Sequence, residues 1–144
     1  MLPLINAVAC LGTVPDTPPV AVSLYTVTPC RVADTRNPQG AWGGPALSAN
    51  SSRTFTVTGQ CGVPPTAKAV SVNLTVTQPS TAGLLRLYPD GISIPGASAL
   101  NYKAGQTRAN NNLAGLGATG GLVVRCEQPS GSAQVIIDVN GYYQ

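Results

Sequence analysis

The run KAVSVNLTVT at residues 68–77 decides the fold class. Val70, Val72, Leu74 and Val76 occupy every second position, and Ser71, Asn73, Thr75 and Thr77 fill the positions between. A period of two belongs to a strand with one apolar and one wet face. Towards the N-terminus, residues 53–58 set Phe55 and Val57 opposite Thr54, Thr56 and Thr58, and Val20, Val22 and Leu24 alternate with smaller residues up to Val27. Residues 37–45 (NPQGAWGGP) form a Gly/Pro loop carrying Trp42, the only tryptophan. Towards the C-terminus come strand-like residues 84–88, a turn at Pro89-Asp90-Gly91, and residues 98–103. A polar hinge is expected at 106–112, then strands at 122–126 and at 133–140, the last with Val135, Ile137 and Val139 on one face. Seven or eight short strands, separated by turn signals, predict an all-β antiparallel sandwich, Ig-like or jelly-roll. Residues 20–144 read as one such domain, without internal repeat or linker.

Composition agrees and narrows the function. Of 144 residues only 9% are charged, while Gly and Pro number 16 and 13 and apolar residues make up 43%. So much Gly and Pro disfavours long helices, and so much apolar content disfavours disorder. The chain contains no histidine, which excludes His-based triads, imidazole metal ligands and His acid–base catalysis. Its formal charge of +3 is spread along the chain, whereas nucleic-acid binding needs a basic stripe. No apolar run approaches the ~20 residues of a membrane span.

Residues 1–19 read as an apolar, Pro-rich arm. Pro3, Pro15, Pro18 and Pro19 oppose a helix, and Leu2, Leu4, Ile5 and Val8 want a surface, either on the arm's own domain or on a neighbour's. Residues 1–12 lack a positively charged start, and their apolar stretch is interrupted by Pro3 and Asn6, so they do not read as a signal peptide.

Four cysteines stand at 10, 30, 61 and 126 without a CxxC pair. A four-thiolate zinc site usually uses close pairs, so two disulfides in an oxidising compartment are the expectation, with free buried thiols as the alternative. Of the three connectivities, Cys30–Cys61 is favoured because each cysteine follows a strand-like run beside turn residues. Cys10 is then left with Cys126, within one chain or between neighbours.

Several segments resemble a recurrent β-rich domain of secreted, often multidomain proteins of soil and environmental bacteria. They are VTPCRVADTR (27–36), TGQCGVP (58–64), AKAVSVNLT (67–75), LNYKAGQTRAN (100–110) and IDVNGYY (137–143). The resemblance spans roughly residues 24–143 and implies an extracellular module used as an appendage or adhesive-like building block, without an assigned enzymatic activity. It supports pairing Cys30 with Cys61, which lie inside matching motifs. The arm falls outside it.

Arg31, Asp34 and Arg36 crowd together after the first strand. Two guanidiniums around a carboxylate suit a loop brace or the binding of an anionic group such as a uronic acid. Asn101, Arg108 and Asn110 from the polar hinge, with Asp138 and Asn140 from the last strand, would join them if the strand ends meet. Asp34 and Asp138 are the only plausible glycosidase pair, but basic or amide neighbours would keep both ionised, the wrong state for a general acid. Lys68 and Lys103 lack a nucleophile motif, and no calcium-loop spacing occurs. Trp42, Tyr88, Tyr102, Tyr142 and Tyr143 would either cap the core or stack on sugars. The sequence thus leads to a non-enzymatic structural subunit of an extracellular or virion-surface assembly (filament, appendage or decoration protein), with the arm joining subunits. The expected partners are other copies or other structural subunits, with no metal, no cofactor, no nucleic acid and no membrane span. The alternative is a carbohydrate-binding or adhesion module recognising surface glycans.

Overall fold

The computed structural model describes residues 20–144. The arm, with Leu2, Leu4, Ile5, Val8 and Cys10, lies outside the described residues. Nine strands follow: β1 (Leu24–Asp34), β2 (Leu47–Ser48), β3 (Ser52–Thr56), β4 (Ala69–Thr77), β5 (Gly83–Pro89), β6 (Leu100–Tyr102), β7 (Arg108–Gly115), β8 (Gly121–Glu127) and β9 (Ser132–Tyr143). One sheet has the order β1-β9-β4-β7, with β2 also on β9, and the other has the order β3-β8-β5-β6. Every strand pair is antiparallel.

Topology resolves the choice between sandwich types. With the two-residue β2 set aside, the other eight strands pair first with last: β1 with β9, β3 with β8, β4 with β7, and β5 with β6. That is one long hairpin. The β9–β4 and β8–β5 pairings roll it into two sheets, which is the jelly-roll arrangement rather than the Ig one.

The predicted alternation sets the core. Val70, Val72, Leu74 and Val76 of β4 and Val135, Ile137 and Val139 of β9 meet Phe55, Leu85, Leu122 and Val124 of the opposite sheet, all buried. Packing of this kind is the main stabilising term for such a domain.

Three expectations change. The hinge predicted at 106–112 is mostly β7, an edge strand. Its sequence RANNNLAG hides this, because only one side pairs and most of its side chains are exposed. The first strand is shifted from the predicted 20–27 to Leu24–Asp34 and runs through Pro29 and Cys30. Pro29 is tolerated there because β1 is an edge strand, out of register with β9 between Thr26 and Cys30. With β2 added, the count is nine rather than seven or eight.

Candidate functional site

Residues directly opposite one another in an antiparallel pair face the same side. Arg31 of β1 pairs with Asp138 of β9, Asp138 with Asn73 of β4, and Asn73 with Asn111 of β7. Since Val72 and Leu74 point into the core, this row lies on the outer face of the sheet. Arg31 Nε donates to Asp138 Oδ1 at 2.8 Å and its Nη2 to Oδ2 at 3.2 Å. Arg31 Nη1 also reaches Asp34 Oδ2 at 3.4 Å. Asp34, only 4% exposed, takes two further bonds from Arg36, Nε to Oδ1 at 2.8 Å and Nη2 to Oδ2 at 2.6 Å, plus the Arg36 backbone N–H at 3.1 Å. The Arg36 hydrogen bonds hold the Asp34 carboxyl below its ordinary value, against the opposing effect of burial.

Beside this cluster opens a cavity of about 490 Å³ lined by Pro29, Arg31, Asn73, Asp138 and Asn140. Its origin is local, since the irregularity in β1 and a second one in β9, opposite Ser71/Val72, disturb the ladder on both sides of Asp138. Two arginines balance two aspartates here, which leaves no uncompensated positive charge for an anionic sugar.

Asn101, Arg108 and Asn110 do not join this group. They line a separate depression of about 240 Å³ with Ser98 and Leu100. The register explains the separation. Arg108 and Asn110 lie opposite Val76 and Leu74, whose side chains point inward, so they face the other sheet, and Asn110 Nδ2 donates to Ala99 O at 2.9 Å. The polar set expected as one cluster is therefore two.

The cysteines divide likewise. Cys30 and Cys61 form a disulfide with their Cα atoms 5.7 Å apart. A tight turn delivers Cys61: Gly59 N donates to Val63 O, and Gly62 takes φ +76°, a backbone conformation that favours glycine. The expected Cys10–Cys126 bridge involves Cys10, which lies outside the described residues. Cys126 has no disulfide partner among the described residues and is buried among apolar side chains, beside the hydroxyl of Tyr102 and the amide of Gln128. It sits on the inward face of β8. Burial raises its pKa and, with the Cys126 contact, that of Tyr102.

Nor do the aromatic residues make one sugar platform. Tyr88 and Tyr102 are buried, Trp42 Nε1 donates to Thr56 O at 2.8 Å, and Tyr142 stacks on Tyr25 with ring centroids 5.2 Å apart.

Sequence reasoning missed two features. The first is a charge cluster on the outer face of the second sheet. Glu127 receives Arg86 Nε at 3.0 Å, Arg86 Nη2 at 2.9 Å and Arg125 Nε at 2.9 Å. These bonds, Arg86 first, lower the Glu127 pKa to about 2. The available signal was one arginine at an outward position in each of two apolar strands. The second is an apolar groove of about 360 Å³ between β7 and the β5–β6 connection, lined by Leu87, Pro89, Ile92, Pro95 and Leu113. It borders the open edge of β7, and Leu113 is 70% exposed. Its signal was Leu113 inside a polar run.

Among the described residues, no group of three or more His, Cys, Asp or Glu gathers as a metal site, and no helix is long and apolar enough to cross a membrane. The disulfide fits a secreted or extracellular protein. No protein-family model and no curated protein matches the chain.

Proposed function

We propose that the protein is a non-enzymatic structural subunit of an assembly outside the cell: a filament, an appendage or the decoration of a virion surface. The observation that carries this reading is the apolar groove beside the open edge of β7, with Ile92, Ile94 and Leu113 exposed along it and near it. Open strand edges with apolar side chains invite further chains. The arginine–carboxylate clusters point the same way, since their charged groups are spent on bracing the sheets rather than on chemistry. Light scattering and electron microscopy of the full chain test the reading: concentration-dependent polymers support it, and a monomer at every concentration refutes it.

A second reading is favoured by the cavity at Arg31 and Asp138. The amides of Asn73 and Asn140 line it and offer donors and acceptors to neutral sugar hydroxyls. Selective binding on a glycan array, lost in Asn73→Ala, supports a carbohydrate-binding or adhesion module.

A further inference from the structure

The groove has an edge-strand wall, an apolar lining and no occupant among the described residues. The chain also has a segment of matching chemistry. Residues 1–19 contain no lysine or arginine and one acidic residue, Asp16, and concentrate Leu2, Leu4, Ile5, Val8 and Leu11 in their first part. Nineteen residues reach roughly 60 Å when extended. The three strand spacings from β1 to β7 come to only about 14 Å. Reach therefore permits the arm's own groove or a neighbour's.

The placement of exposed apolar residues separates these. Val20, Val22 and Leu24 are exposed where the arm enters β1, at one edge of the sheet, while Leu113 and the groove lie at the opposite edge. An arm folded onto its own groove would cover that edge and leave Val20, Val22 and Leu24 at the β1 edge exposed. Two copies set edge to edge, β1 of one beside β7 of the next, cover both.

Resting on the structural-subunit reading, we infer that residues 2–11 of a second copy lie extended in this groove, adding a strand along β7. The arm's backbone takes the free hydrogen-bonding groups of β7, and its leucine and isoleucine side chains fill the space between Leu87, Ile92, Pro95 and Leu113. Donor and acceptor surfaces are different, and they sit on opposite edges of one sheet. The contact is heterologous, so it propagates as a filament or closes as a ring rather than stopping at a dimer.

Two full-length variants test this by size-exclusion chromatography with light scattering. Leu113→Arg damages the groove and keeps the arm, and the double variant Leu4→Asp/Ile5→Asp damages the arm and keeps the groove. Each alone should require about tenfold or more protein to assemble than the parent chain. Mixed one to one, they should form a capped heterodimer, because the intact arm of the first fits the intact groove of the second. Melting curves establish that each variant folds, and Ile92→Arg replaces Leu113→Arg if that one does not. Parent polymers with variants that assemble equally well, or a mixture that yields no heterodimer, would overturn the arm–groove contact and leave the subunit reading standing. A parent chain that stays monomeric would overturn both.

Discussion

The two outer faces of the sandwich carry the same motif with different stoichiometry. On the first sheet, Arg31 and Arg36 share Asp34 and Asp138, two cations against two anions. On the second, Arg86 and Arg125 share Glu127 alone. Arg86 and Arg125 are direct cross-strand partners, a destabilising pairing of like charges unless an anion stands between them. The balanced cluster ties β1 and its following loop to β9, and the unbalanced one ties β5 to β8. A balanced cluster can lose one member and reform, whereas a cluster with a single anion depends on it.

The largest expected effect belongs to the first sheet, whose β1 carries the one cystine found among the described residues. Replacing Cys30 and Cys61 together by serine opens a loop of 31 residues of sequence separation. The expected cost is about 4 kcal/mol by the chain-entropy argument, read by urea denaturation. A loss near zero would mean that β1 is held by its other bonds alone.

Asp34→Ala comes next. It removes a buried carboxylate that accepts four hydrogen bonds, at a cost of about 1–3 kcal/mol by the same measurement.

Glu127→Gln sharpens the comparison. It should lower the melting temperature more than Asp138→Asn does, because two facing arginines lose their shared anion while Arg31 keeps Asp34. Acid gives a second readout. A carboxylate whose folded pKa is depressed contributes stability above its unfolded value and loses it as pH falls through the folded value. For Glu127 the window runs from 4.5 down to about 2. The parent chain should lose stability across that range, and Glu127→Gln should show a shallower acid limb. Identical limbs would remove the distinction between the two faces.

The smallest effect is expected for Arg31→Ala. Its side chain is 49% exposed, so solvent screens the pair, and the cost should be about 0–1 kcal/mol.

These clusters also mark where the sequence was legible. β4, β8 and β9 announce themselves, since each buries one face and so alternates or runs apolar; the Cys30–Cys61 pairing forms as expected, although Cys30 lies within β1 rather than past its end. β7 does not, because an edge strand of three consecutive asparagines carries no period to read. The Asp34 brace is local, with partners two and three residues away, and is visible in VTPCRVADTR. The Glu127 cluster depends on Arg86, 41 residues away, and the division of Asn110 from Asp138 depends on register. Neither is encoded in spacing along the chain. Cys126 lies inward on a core strand, where a cysteine packs as a small apolar residue, and cysteine counting alone does not reveal that.

On both faces the clustered charges are paired within the sheet, and in the proposed subunit the apolar edges join copies. Light scattering of the full chain at low salt and in about 1 M sodium chloride tests that directly, since high salt screens ionic contacts to within about 3 Å. The account predicts polymers that persist or lengthen in high salt, as apolar contacts do. Dissociation to monomers in high salt would show that charged surfaces hold the assembly and would contradict it.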